Sequence, residues 1–235
     1  MPAINLLAIE TSTDAGSIAL WRDGEVLLRD CPRGVSHSET LLPLIRSTLA
    51  EAGLGFADLS GIAFGAGPGS FTGLRVACGV AQGLAFAHDT PLLPVGTLEA
   101  MAFAARSEAS ARVLVALDAR MGEVYFGSFD VSSDAVAALG PVGVHPPGAV
   151  PLPASGGWLA CGNGLAAYPA LRERLAPAVD AWLPELMPTA DAVARLAAPR
   201  LARGERVDPA DAVPVYVRDK VAQTVAERLA QGGKA

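Results

Sequence analysis

The chain has 235 residues, of which 51% are hydrophobic and 18% are charged, so it can bury a large core and is not a disordered protein. Its formal net charge of −6 argues against direct nucleic-acid binding, because contacts between basic side chains and phosphates supply most non-specific affinity. It has three widely spaced cysteines, no leader pattern and no apolar run near the roughly 20 residues of a membrane span, so we expect a cytoplasmic protein.

The N-terminal half predicts strands that alternate with helices. Residues 4–10, 17–21 and 25–30 have the composition of strands, and the dipeptide Asp23-Gly24 is typical of a hairpin turn between the last two. The spacing of apolar residues then predicts a helix over 38–52, a strand over 59–65, a helix over about 74–87, a strand over 91–95 and a helix over 97–106.

The pattern then partly repeats. Residues 112–118 form an apolar run that ends in a carboxylate and is followed by a turn and a strand, as residues 4–10 are. The repeat predicts an α/β protein of two related lobes, residues 1–107 and 108–235. The last predicted helix, over residues 221–230, is a candidate for packing back against the first lobe.

A glycine-rich loop joins the strand at 59–65 to the next helix. Such a loop points backbone N–H groups at an anion, which makes it a candidate anion- or nucleotide-binding loop. It is not a Walker A loop, because no lysine follows its last glycine. The alternative is a tight turn in which Thr72 caps the helix and glycines allow close packing. The candidate anion-binding residues are Gly67, Gly69, Ser70, Thr72 and Gly73.

The helix over residues 74–87 is apolar on all sides, with only Arg75 and Gln82 polar. A helix of this kind is buried on all sides. Its small residues recur at helical spacing and would let a second helix approach closely. Either the other lobe covers this helix or a partner protein does, and we favour a partner.

Polar residues follow the first strand of each predicted lobe. In a two-lobed fold these strand ends face a central cleft, where ligands bind. The alternative is a structural ion pair. The three histidines lack the spacing of a zinc site, so we expect no metal. The predicted cleft cluster comprises Glu10, Thr11, Asp118, Arg120 and Glu123.

Four segments, spread in order over most of the chain, resemble the bacterial TsaB (YeaZ) family: residues 9–13, 67–75, 118–125 and 214–218. The resemblance implies the actin-like fold of the sugar-kinase and Hsp70 superfamily, which is RNase H-like, with two related lobes of mixed sheets flanked by helices. It implies a role in making threonylcarbamoyladenosine beside the tRNA anticodon. In that family the subunit pairs with the transferase TsaD, the ATPase TsaE joins them, and a homodimer forms when TsaD is missing.

The resemblance also implies a scaffold rather than an enzyme. TsaD-type chains carry a metal-binding His-x-x-x-His pair, and the matching positions here are Thr97 and Met101, which suit no hard metal. We therefore expect no cofactor of its own, with ATP or ADP bound only at the level of the complex, and only indirect contact with tRNA. The alternatives are a stand-alone ATP-binding enzyme of the superfamily and a glycoprotease-like peptidase. The helices over 38–52 and 74–87 would contact the partner through Leu41, Leu44, Ile45, Arg75, Val76, Gly79, Val80 and Gly83.

Overall fold

The computed structural model describes residues 4–106, 112–133 and 135–218, and these contain two mixed β-sheets. The first sheet contains β1 (Asn5–Glu10), β2 (Ser17–Arg22), β3 (Glu25–Asp30), β4 (Gly61–Gly67) and β5 (Leu92–Gly96). The second contains β6 (Arg112–Arg120), β7 (Glu123–Val131), β8 (Val136–Ala138), β9 (Gly143–His145), β10 (Trp158–Cys161) and β11 (Val179–Leu183). The α-helices are α1 (His37–Glu51), α2 (Phe71–His88), α3 (Thr97–Ala105), α4 (Gly164–Ala167), α5 (Pro169–Leu175) and α6 (Ala190–Ala202).

The two sheets have the same strand order. In the first sheet the order is β3-β2-β1-β4-β5, with antiparallel pairing among the first three strands and parallel pairing from β1 to β4 to β5. In the second, β8-β7-β6-β10-β11 follow the same order with the same directions. The predicted actin-like α/β fold of two related lobes is therefore confirmed, and the weak sequence repeat corresponds to a repeated topology.

Helices cover both faces of the first sheet, which explains the uninterrupted apolar run of β1, a strand buried along its whole length. α1 and α2 pack on one face and α6 on the other. α3 contributes Phe103 to the core of the first sheet and Met101 to that of the second, so it lies between the lobes. α4 and α5 cover the outer face of the second sheet.

The observed bounds differ from the predicted ones mainly at helix starts. α1 begins one residue earlier than predicted, and α2 begins at Phe71, inside the segment assigned to the loop. The proposed lobe boundary near residues 107–111 and the helix predicted over 221–230 lie outside the described residues. α6 follows the second sheet in sequence, yet it packs on the first one, where the Ala190 N–H donates to Ser17 Oγ at 2.9 Å.

Candidate functional site

The glycine-rich loop ends in a helix cap. Ser70, not Thr72, is the N-cap of α2, and its hydroxyl oxygen accepts a hydrogen bond from the Gly73 N–H at 3.3 Å. Thr72 is already in the first helical turn, because the extended backbone at Ser70 starts the helix two residues earlier than a Thr72 cap would. The structure confirms the alternative of a tight turn with a capped helix, but the capping residue is Ser70 and the prediction of Thr72 is wrong.

The loop glycines permit close approach to the turn that follows β1. The Ser70 N–H donates to the Ser12 carbonyl at 2.7 Å, and a Cβ added to Gly69 would lie 2.5 Å from the Ser12 Cβ. A Cβ added to Gly73 would overlap the Thr11 carbonyl oxygen. The Thr11 hydroxyl donates to the Gly73 carbonyl at 2.8 Å. Close packing therefore explains glycine at 69 and 73 without a ligand.

Glu10 lies beneath this loop and not in the cleft. Its side chain is fully buried, and Oε1 accepts the Ser12 N–H at 2.6 Å, while Oε2 has no hydrogen-bond partner. Burial raises the pKa of Glu10, although the bonds from Ser12 and the charge of His37 act in the opposite direction. Thr11 is also fully buried. The predicted five-residue cluster is therefore divided, with these two residues inside the first lobe.

A cleft of about 450 Å³ lies between the lobes. The turn after β1 and the start of α2 line one side, and the end of β6 with its turn lines the other. Residues 215–218 complete the lining. Asp118 and Arg120 of the predicted cluster do lie in this cleft. The cleft therefore joins the two strand ends that the sequence repeat indicated, but only one of the two predicted carboxylates reaches it.

Asp118 is held by neighbours on its own lobe. Its Oδ1 accepts the Arg120 N–H and the Tyr168 hydroxyl, each at 2.9 Å, and Oδ2 lies 3.3 Å from the Arg120 guanidinium. Burial and the bond to Asp118 raise the pKa of Tyr168, which keeps it a donor. Across the cleft mouth, Arg120 also reaches Asp14 at 3.4 Å. This matches the structural ion pair that the sequence left open as the alternative.

Residues 207–218, which we call the C-terminal strap, have no role predicted from the sequence pattern. Arg218 donates to the Ala119 carbonyl at 3.1 Å and pairs with the carboxylate of Glu123. Glu123, predicted in the cleft, thus serves to hold the strap. Tyr216 accepts a hydrogen bond from Arg75 at 3.0 Å. Tyr216 and Arg218 lie in the segment 214–218 that resembles the family, and that resemblance was the signal in the sequence that could have identified them.

The second candidate site is the outer face of α2. One side of the helix packs on the sheet through Leu74, Ala77, Cys78, Ala81 and Ala85. The opposite side is open within the described chain, and apart from Arg75 it is apolar and smooth. At Gly79 and Gly83 an added Cβ would meet nothing within 4 Å, and Phe86 is 86% exposed. The members of this open side, the α2 outer face, are Arg75, Val76, Gly79, Val80, Gly83 and Phe86.

α1 lies beside α2 and extends this surface. Leu44 is half-buried against the core of the first sheet, as Val76 and Val80 are, while Leu42 is exposed. Leu41 and Ile45 were predicted to contact a partner, but both are completely buried against the first sheet. Their spacing places them on the inward side of α1, so we remove them from the predicted contact set. The prediction that the two helices bind a partner remains a prediction.

Two proteins that are similar to this chain in sequence share one name. The Escherichia coli K12 protein named tRNA threonylcarbamoyladenosine biosynthesis protein TsaB is 37% identical over 230 residues, 93% of this chain and 96% of the relative. The Haemophilus influenzae protein of the same name is 47% identical over 127 residues, 54% of each chain. The sequence model of the TsaD family, described as tRNA N6-adenosine threonylcarbamoyltransferase, matches residues 33–224.

The chain belongs to the TsaB (YeaZ) family. Two solved structures extend the agreement to three dimensions. A Pseudomonas aeruginosa protein described as similar to peptidase YeaZ is 40% identical, with a TM-score of 0.83 over 92% of this chain and 100% of that one. The structure titled YeaZ from Pseudomonas aeruginosa is 39% identical, with a TM-score of 0.81 over 91% of this chain and 99% of that one. The two lobes are therefore the fold of the TsaB family.

Thr97 and Met101, the positions that the family resemblance matched to the histidine pair of TsaD-type chains, are both fully buried in α3. Within residues 4–106, 112–133 and 135–218, no group of three or more His, Cys, Asp and Glu side chains is placed to hold a metal ion. In the same ranges, no helix has both the length and the apolar character needed to cross a membrane.

Proposed function

We propose that this member of the TsaB family is a non-catalytic subunit that pairs with a TsaD-type transferase through α1 and the α2 outer face. The relatives' name assigns them to threonylcarbamoyladenosine biosynthesis, and the proposal carries that role to this chain. One observation carries the pairing: a long helix with an open, apolar and glycine-smoothed side. Val76 and Val80 are half-buried against the core of the first sheet, and a partner helix could finish covering them.

The chemistry of the face favours a helix as its occupant. Two glycines four residues apart leave a shallow groove along α2, and Phe86 projects at its end. Apolar side chains of a partner helix would fill the groove and remove these side chains from water, which is the main source of association energy. Arg75 lies at the other end of the face, with its guanidinium 3.6 Å above the Phe71 ring, where it can also contact a partner.

Further partners follow from the same role. We propose that a TsaE-type ATPase joins the pair, that a second copy of this chain occupies the face when the transferase subunit is absent, and that tRNA is contacted only indirectly. ATP or ADP would bind at the level of the complex. A cytoplasmic location is consistent with Cys31, Cys78 and Cys161, all free and buried.

An omission experiment tests this function. Purified chain, TsaD-type subunit and TsaE-type ATPase are incubated with tRNA and threonylcarbamoyl-adenylate, and the modified nucleoside is measured by mass spectrometry. We expect product from the full mixture, little without this chain, and none from this chain alone. Undiminished product without the chain, or product from the chain alone, would refute the proposal.

The second candidate is a stand-alone ATP-binding enzyme that uses the inter-lobe cleft. The volume of about 450 Å³ favours it, while the pairing of Asp118 with Arg120 and Tyr168 leaves little free carboxylate for a metal–nucleotide complex. Tight ATP binding by the isolated chain that is lost in Asp118→Ala would support this alternative. A glycoprotease-like peptidase is disfavoured, because the sequence has neither the His-x-x-x-His pair of TsaD-type chains nor a nucleophile motif.

A further inference from the structure

We propose that the C-terminal strap is an inter-lobe tie: it fixes the width of the cleft and links that width to the α2 outer face. The tie itself is a property of the isolated chain. The link to α2 rests on the proposed function, because it requires a partner on that face.

The strap is first anchored along the first lobe. The Val207 N–H donates to the Leu92 carbonyl at 2.9 Å, at the edge of the first sheet. The Gln82 side chain of α2 donates to the carbonyls of Pro209, at 2.8 Å, and Ala212, at 3.0 Å. Ala212 is itself buried in the first core. The backbone of the strap is therefore fixed to α2 and β5 by bonds from partly buried groups.

The strap then crosses to the second lobe within a few residues. The Val215 N–H still bonds to the Ala66 carbonyl of β4 at 2.7 Å, but Val217 packs with the core of the second sheet. Arg218 ends the crossing on the turn between β6 and β7. Besides the Ala119 carbonyl and Glu123, it approaches the Arg120 carbonyl at 3.5 Å. Four consecutive residues, 215–218, line the cleft as they cross it.

The Arg218 contact is better shielded than the other ion pair across the cleft. The Arg218 side chain is 16% exposed and bonds to a carboxylate and to backbone carbonyls together. The pair between Arg120 and Asp14 is 75% and 96% exposed, at 3.4 Å, so water and salt screen it. Charge-assisted bonds in a shielded site are the stronger kind. Of these two ion pairs, the one made by Arg218 therefore has the larger influence on how far the lobes separate.

The strap also reaches the proposed partner face. The Tyr216 hydroxyl accepts a hydrogen bond from Arg75 Nε at 3.0 Å, and its ring lies 5.4 Å from the Phe71 ring, centroid to centroid. Arg75 belongs to the α2 outer face. A partner that contacts Arg75 therefore contacts a residue that is hydrogen-bonded to Tyr216 of the strap. Tyr216 is two residues before Arg218, which anchors the strap to the second lobe.

Inter-lobe distances measured by double electron–electron resonance test the tie. Spin labels are attached at Glu25→Cys in β3 and Asp180→Cys in β11, two exposed sites on different sheets, while the native cysteines are buried. In the isolated chain we expect Arg218→Gln to broaden the distance distribution at least twofold. The control Arg195→Gln, which breaks an ion pair within α6, should leave it unchanged.

A second variant guards against misfolding. Glu123→Gln removes the carboxylate from the other side of the same contact, and it should broaden the distribution in the same way. If either variant is folded by circular dichroism and its distribution superimposes on that of the parent chain, the tie is refuted. These measurements use the isolated chain, so they test the tie independently of the proposed function.

The link to α2 is tested by adding the TsaD-type subunit to the labelled chain. We expect the distribution to change on binding in the parent chain, and to stay unchanged in Tyr216→Phe, which keeps the ring but loses the bond from Arg75. A binding-induced change that persists in Tyr216→Phe refutes the link alone. Failure of the parent chain to bind the subunit refutes the proposed function and the link together, while the Arg218→Gln result still decides the tie.

Discussion

Gly79→Glu and Gly83→Glu separate partner binding from folding. Both glycines lie in the interior of α2, and a Cβ at either position meets nothing within 4 Å. Glycine is a poor helix former, so either substitution should raise the free energy of unfolding of the isolated chain by about 0.5 kcal/mol. At roughly 2–4 °C per kcal/mol for a chain of this size, the melting temperature should rise by about 1–2 °C.

The same substitutions should abolish pairing. A partner helix on this face would bury an unpaired carboxylate, which costs about 3–5 kcal/mol. The dissociation constant for the TsaD-type subunit should therefore increase by about a hundredfold or more, measured by isothermal titration calorimetry. The matched control is Gly148→Glu, the same change at an open glycine of the second lobe, which should leave the affinity unchanged.

Two results would refute this reasoning. Parent-like affinity in both α2 variants would mean that the partner does not occupy the face. Loss of stability in the isolated variants would mean that other residues of the chain cover the face in solution. A stable variant with a specific binding defect agrees with the account.

Three further changes test the local structure. Ser70→Ala should remove the α2 cap and lower stability by about 1 kcal/mol, or roughly 2–4 °C by thermal unfolding, whereas Ser70→Asp should keep most of it. Gly73→Ala should lower the free energy of unfolding by about 3 kcal/mol, because its Cβ would overlap the Thr11 carbonyl. Gly79→Ala should raise it by about 1 kcal/mol, because alanine is the better helix former. Denaturant unfolding measures both, and equal effects would contradict the packing assigned to Gly73. Because the pKa of Glu10 is raised in the folded state, its contribution to stability should fall as pH rises above about 4.5 and level off beyond the folded pKa. Denaturant unfolding across this pH range should show that slope in the parent chain and lack it in Glu10→Gln.

The two-lobed fold could be predicted from the sequence, because the same pattern of an apolar strand, a turn and a second strand occurs twice. The apolar runs that end in Glu10 and Asp118 form the first strand of each sheet, and the hairpins after them set the antiparallel edge of each sheet. Periodicity could not assign α6, because an amphipathic helix indicates that one face is buried and not which sheet it covers. Only the three-dimensional path of the chain returns it to the first sheet.

The candidate site was predictable in its location and not in its details. Helical spacing predicted α1 and α2, but not that Leu41 and Ile45 point inward while Leu44 is only half-buried. The sequence repeat, in which each of these carboxylates ends an apolar run, suggested that Glu10 and Asp118 share a cleft. Instead, β4 lies so close to Glu10 that a Cβ added to Gly65 would overlap the Glu10 carboxylate, and the loop at Gly69 packs over the turn after β1. Contacts between residues far apart in sequence, such as Arg218 with Glu123, leave no local pattern.

The central claim is that this chain works through a partner. Size-exclusion chromatography with light scattering, on the chain alone and mixed with the TsaD-type subunit of the same organism, tests it most directly. The account predicts a stable one-to-one complex whose formation dissolves any homodimer of this chain. Two unchanged peaks, across a range of salt concentrations and with ATP or ADP present, would contradict it and return attention to the cleft beside Asp118.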